Sequence, residues 1–268
     1  MDPDVQIQEP GQTKTSFSGV ARGVPWWIVI IVVGLFIFSL YIAFDEDRSR
    51  YYRDAFAFIL PGAALTLRVT IISYILALII GLFVGIMRLS ANPVIYHLST
   101  LYVEVMRGLP MLVIIIYAGF VIGPAVRDTT QGLYDPPMLH RAIIGLALGY
   151  GAYISEVFRG GIQAIGKGQM EAARSLGMSY IQAMTYVILP QAVRLILPPL
   201  GNDLIALLKD SALISVLALE ETLQLGRQYV SRTFRAFEGY NTVAIIFLVM
   251  TLCLSFIVRY IERRSEIR

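Results

Sequence analysis

Gln169 to Pro198 reads QMEAARSLGMSYIQAMTYVILPQAVRLILP, and these thirty residues decide how the chain is read. They form a polar, helix-rich insert between hydrophobic segments. Gly166, Lys167, Gly168 and Gln169 make a flexible approach to a helix expected from about Met170. Glu171 then falls in the first turn, where exposed amides and the helix dipole favour a carboxylate by about 0.3–1 kcal/mol. Ala172 and Ala173 are strong helix formers whose bare methyl groups allow a partner surface to come close. Met170, Ala173, Leu176 and Gly177 lie at i, i+3, i+6 and i+7, a short one-sided face. Gly177 is placed to end the helix as a left-handed cap. A second helix, about 179–188, is expected to stop before Leu189-Pro190, because proline disfavours helix at the residue preceding it. The local product is a two-helix lever. Residues alone leave open whether it grips a soluble partner or simply lies at an interface.

The surrounding chain belongs in a bilayer. Of its 268 residues, 56% are hydrophobic and 15% charged, and the mean hydropathy is +0.67, too apolar for an ordinary soluble domain. About 20 helical residues cross a hydrocarbon core. Trp26–Phe44 and Val69–Met87 are uncharged runs of 19 residues, as is Gly108–Val126, and Gly239–Val258 is a run of 20. Two weaker spans complete an expected six. One is Arg141–Arg159, with an uncharged core at Ala142–Ser155. The other is Gln191–Leu219, interrupted by Pro198-Pro199, Gly201, Asp203 and Lys209-Asp210. Interrupted spans occur where backbone lines a cavity or packs inside a bundle.

Six spans put both termini on one side. With that side cytoplasmic, 12 Lys and Arg fall inside and 10 outside, a slight positive-inside lean. Arg259, Arg263, Arg264 and Arg268 strengthen it locally. The expected order is a polar leader at 1–25, span 1 with its outer segment at 26–61, a core at 62–262 containing the insert at 162–189, and a tail at 263–268. No cleavage pattern follows the first apolar run, so it is expected to be retained. Basic residues at span ends account for the net charge of +3, and nothing points to nucleic acid. The single cysteine, Cys253, excludes an internal disulfide and a thiolate metal site. His97 and His140 are far apart, and no P-loop, H-E-x-x-H or G-x-S-x-G motif is present.

Glu171-Ala172-Ala173, three residues, Gly177, nine residues, Val187, one residue and Leu189-Pro190 match the loop by which permeases of ABC importers grip their ATPase, with Val187 at an isoleucine position. Other segments agree in order: Leu65-Thr66-Leu67, Val105 to Pro110, Tyr150 to Tyr153, Glu156 to Gly160, and Leu197 to Asn202. Over roughly 60–262 the chain resembles the permease of a type I ABC importer, in particular the histidine and glutamine permease family of polar amino-acid importers. That resemblance implies an all-α integral membrane protein of the bacterial inner membrane, with a five-helix (MetI-like) permease core and one extra N-terminal helix, six in all. It implies a second permease chain, two ATPase subunits, an extracytoplasmic amino-acid-binding protein and surrounding membrane lipid. ATP and Mg would bind the partner ATPase, with no cofactor, metal or catalytic residue in this chain. Met170, Glu171, Ala172, Ala173, Leu176, Gly177 and Pro190 become the candidate coupling loop.

Charges inside a membrane are costly and usually face protein or a wet path. Glu104 with Arg107, and Glu156 with Arg159, stand three apart and are expected to form intrahelical ion pairs at the cytoplasmic rim. The resemblance sets Asn202, Asp203, Lys209 and Asp210 beside the translocation path, although Lys209-Asp210 could equally mark a helix end. Tyr153 is a further candidate for the path. An intramembrane protease is a poor alternative, since Asp203 and Asp210 lie on one segment without the surroundings such a pair needs. A transporter driven by an ion gradient would need no ATPase partner.

Overall fold

The structure, a computed structural model, describes residues 26–266, so the expected leader at 1–25 and the last two residues of the tail lie outside it. Every regular element among the described residues is helical. The described residues divide into two compact units between Ser49 and Arg50. In the first, α1 (Trp26–Ala43) is apolar on all sides. At its end Asp45 accepts from the amides of Asp47 and Arg48, which starts α2 (Glu46–Ile59). Arg48 lies over the ring of Tyr41 at 4.2 Å and pairs with Asp45 at 3.0 Å.

The second unit is organised around two long helices, α3 (Gly62–Met87) and α7 (Met138–Gln163), which pack along most of their length. Small residues allow this. A Cβ at Gly81 would stand 2.5 Å from Ile154 Cγ2 and 3.1 Å from the Gly151 carbonyl, so only glycine lets the two backbones approach so closely. Val69, Ile115, Ala142, Leu146 and Ile214 form one buried cluster, and Ala77, Tyr150, Ile154 and Leu207 another. Helix α7 is central, meeting α3, α4 (Pro93–Gly108), α5 (Met111–Tyr117) and α10 (Leu189–Asp210). Asn92 starts α4 by accepting from the Val94 amide at 2.9 Å, with Pro93 at the first helical position. A third buried cluster joins Ala55 and Ile59 to Tyr229, Val243 and Ile246, which belong to α11 (Thr222–Thr233) and α12 (Ala236–Glu266).

Among the described residues, four helical stretches are long and apolar enough to cross a membrane: Glu46–Met87, Met111–Thr129, Tyr180–Leu217 and Ala236–Arg264. They carry four of the six expected spans. The described apolar part of α1, Val29–Ala43, is shorter. Helix α7 has the length, but glycines, tyrosines and charges dilute its hydropathy, which its burial among other helices allows.

Neither of the two breaks expected at prolines interrupts the chain, and Gly123-Pro124, inside the expected run Gly108–Val126, does not either. Gly123-Pro124 sits inside a continuous helical stretch, where α5 runs through a π-helical turn (Ala118–Ile122) into α6 (Gly123–Thr129). Pro198 and Pro199 lie within α10, which ends only at Asp210 and passes into a 3-10 segment (Ser211–Leu217). Leu189-Pro190 is no stop either. Helix α9 (Tyr180–Ala183) enters a π-helical turn (Met184–Ile188) whose wider winding takes the Leu189 amide back to the Met184 carbonyl. The Gln191 side chain donates to the Val187 carbonyl at 2.8 Å. A wider turn with a side-chain donor accommodates the N–H that Pro190 lacks. Residues 222–233, between the last two expected spans, form α11, which Glu221 starts by accepting from the amides of Leu223 at 2.9 Å and Gln224 at 2.7 Å.

Candidate functional site

The polar insert folds as two short helices. Helix α8 spans Lys167–Ser175, three residues earlier than the sequence implied, with Gly166 at its N-cap. Glu171 therefore stands in the second turn rather than the first, and the expected stabilisation by the helix N-terminus is lost. The stop is as expected. Gly177 has φ +86°, its amide donates to Arg174 O at 3.0 Å, and the Met178 amide donates to Ala173 O at 3.2 Å. This pair of bonds is the Schellman arrangement. Ser179 then begins α9 with a reciprocal cap: the Gln182 amide donates to Ser179 Oγ at 3.2 Å, and the Ser179 amide to Gln182 Oε1 at 2.8 Å.

The hairpin is rigid at its turn and bare on its outer side. Ala173 is buried and Met170 partly so, whereas Glu171, Ala172 and Pro190 are exposed. Leu176 is 84% exposed, a large apolar side chain at the tip with nothing of this chain over it. The one-sided face thus splits: its Ala173 side packs inward and its Leu176 side is free to meet another surface.

A charge cluster sits where α3, α4 and α7 meet. Glu156 Oε2 takes Arg159 at 2.5 Å, the expected intrahelical pair. The other expected pair is not formed. Arg107 turns away from Glu104 and contacts Glu156 Oε1 at 3.3 Å, and Glu104 is exposed without an ion pair among the described residues. Arg88 also bonds to Glu156 Oε1. Tertiary packing wins because one half-buried carboxylate offers three guanidinium groups more than a solvated contact three residues along α4 offers Arg107 alone. Arg88, 9% exposed and with Nε unpartnered, was not foreseen. Its only sequence signal is its place as the charge that ends an apolar run.

Deeper in the bundle, α10 carries the other candidates. Asn202 and Lys209 are exposed. Asp210 Oδ2 accepts from Tyr150 Oη at 2.8 Å. Asp203 is partly buried and its Oδ2 has no hydrogen-bond partner. Tyr74 Oη donates to the Leu200 carbonyl at 2.8 Å, one turn from Asp203. Tyr153 stacks obliquely on Tyr150 with ring centroids 6.1 Å apart, and the Arg107 guanidinium lies 5.6 Å from the Tyr153 ring. Candidates that the sequence left in two separate groups therefore form one contiguous series: Asp210, Tyr150, Tyr153, Arg107, Glu156. Among the described residues no group of three metal-ligating side chains converges.

This helical architecture, with its capped polar hairpin between membrane-length helices, is that of an importer permease. The chain belongs to the family of binding-protein-dependent transport system inner membrane components, whose model matches residues 77–267. It is 36% identical over 213 residues to the glutamine transport system permease protein GlnP of Escherichia coli, covering 80% of this chain and 95% of that one. It is 32% identical over 255 residues to the arginine transport system permease protein ArgU of Corynebacterium glutamicum, covering 90% and 80%. A chain of the crystal structure of an amino acid ABC transporter with histidines superposes with a TM-score of 0.71 at 36% identity, over 82% of this chain and 98% of that one.

Proposed function

We propose that the chain is the membrane-spanning permease subunit of an ATP-driven ABC importer for polar or charged amino acids. The observation that carries the mechanism is the α8–α9 hairpin: a Schellman turn at Gly177, a reciprocal cap at Ser179, and Leu176 projecting bare from the tip. The relatives named for glutamine and arginine transport support the cargo class.

In this reading six helices span the membrane, both termini are cytoplasmic, and the second unit is the five-helix core. Two permease chains, identical or paralogous, form the pore. Each docks Met170 to Gly177 on one cytoplasmic ATPase subunit, which binds the ATP and Mg, and this chain supplies no catalytic residue. Closure of the ATPases pulls the hairpins together. Because α9 continues through the π-turn into α10 without a break, hairpin movement is transmitted along one helical rod to Asn202, Asp203 and Asp210. The pore then opens outward to take solute from a binding protein. Asp203, Asp210 and Tyr153 offer polar but sparse contacts, which suit a path that must release its cargo.

Reconstitution of the intact complex in vesicles tests the proposal. Amino-acid uptake should require ATP on the hairpin side and binding protein on the other. Uptake that follows an ion gradient and ignores ATP would reject it.

A further inference from the structure

A groove of about 570 Å³ runs between the start of α10 and the end of α12. Its walls are apolar, Leu189, Val193 and Leu197 from α10 and Ile261 from α12, and two guanidinium groups, Arg194 and Arg264, line it from opposite sides. The helices are antiparallel and in register: a Cβ at Gly201 would meet Val258, and Leu197 shares the groove with Ile261, as Arg194 does with Arg264. Among the described residues neither arginine has an acidic partner. Arg194 is exposed and unpaired among the described residues, and Arg264 lies 5.2 Å from the centroid of the Tyr260 ring. Glu262 of α12 sets its Oε1 3.4 Å from the Cβ position of Gly201, two turns along α10 from Arg194.

The groove opens at a definite depth. Arg264 ends the apolar stretch Ala236–Arg264, while Leu189, Val193 and Leu197 lie within Tyr180–Leu217. Arg194 and Arg264 thus share one level, and Leu197 and Ile261, three residues from each, lie one turn further into the apolar stretches, as a headgroup and an acyl chain require. Arginine binds phosphate through paired N–H donors, and a tyrosine beside it suits the membrane interface. A free phosphate would use the two arginines and leave the apolar wall wet. A protein partner would need a surface both acidic and greasy at bilayer depth. A phospholipid carries an anionic head and an acyl tail joined at this spacing.

We infer that the α10–α12 groove binds an anionic phospholipid of the cytoplasmic leaflet, its phosphate between Arg194 and Arg264 and one acyl chain along Val193, Leu197 and Ile261. The choice of leaflet rests on the orientation proposed above. Such basic pockets between membrane helices hold acidic headgroups, with about 1 kcal/mol from each arginine near the surface. The lipid would sit at the foot of the rod that joins the hairpin to the path, so it bears on how firmly that rod is seated.

The test is native mass spectrometry of the whole assembled transporter in mixed phosphatidylglycerol and phosphatidylcholine. Wild type should retain phosphatidylglycerol selectively. The variant R194Q/R264Q, altered only at exposed positions, should bind it about 30-fold more weakly, the factor given by the two arginines together. A photo-crosslinking residue at Val193 should capture lipid. Equal retention of both lipids by wild type overturns the site even where ATP-driven uptake is intact, which keeps its failure apart from failure of the importer reading. So does capture of an ATPase subunit or a second permease chain from Val193.

Discussion

Arg88 and Glu156, 68 residues apart in sequence, form a charge pair that fastens the end of α3 to α7, and the same carboxylate also holds Arg107 and Arg159. One negative charge thus serves three positive ones. Glu156→Ala would leave those guanidinium groups facing one another, with Arg88 largely buried. Removing one partner of a buried pair costs ~3–5 kcal/mol, and the lower end applies here because Glu156 keeps 20% side-chain exposure. Arg107→Ala, at a side chain 44% exposed, should cost under about 1 kcal/mol. Thermal unfolding of both variants checks the order.

The packing of α3 on α7 gives a second expectation. Gly81→Ala forces a methyl group against Ile154 and should destabilise by about 1–3 kcal/mol. Gly160→Ala, with no atom of this chain within 4 Å of the added carbon, should be neutral or slightly stabilising. Equal melting of the two would contradict the close approach of the helices.

Glu221 links stability to pH. It is fully buried, caps α11, and lies within 3.5 Å of the Thr66 hydroxyl, which also bonds to Thr222. Burial pushes its carboxyl from 4.5 up to about 7. A raised carboxyl means that the folded state holds the proton more tightly than the unfolded state. Its contribution to stability is therefore greatest below about pH 4.5, declines as pH rises towards 7, and is flat above. Glu221→Gln should flatten the melting temperature between those limits. An unchanged slope would place the titration elsewhere.

Asp203→Asn keeps the shape of the side chain and removes its charge. The complex should assemble normally while uptake falls several-fold or changes its preference among amino acids. Wild-type uptake for every amino acid assayed would remove Asp203 from the path.

The helical class and the Gly177 turn were legible in the sequence because both depend on local chemistry: runs of apolar residues, and a glycine where φ must be positive. The three prolines depart from their sequence expectation for one reason. Pro190, Pro198 and Pro199 were read by their intrinsic preference, but the π-turn before Pro190 and packing around α10 outweigh it. Arg107 was assigned to Glu104 because spacing along a helix is visible in sequence. Glu156, on another helix, is not. The series from Asp210 through Tyr150 and Tyr153 to Arg107 needs α4, α7 and α10 together, so no periodicity within one segment could reveal it.

The central claim is that the α8–α9 hairpin is the handle by which a separate ATPase drives this permease. A photo-crosslinking residue in place of Leu176, 84% exposed at the hairpin tip, tests it most directly against the same residue in place of Leu133, 91% exposed between α6 and α7. Irradiation of the intact complex should join position 176, and not position 133, to the ATPase subunit. An adduct from 133 with none from 176 would contradict both the docking role of the hairpin and the orientation of the chain.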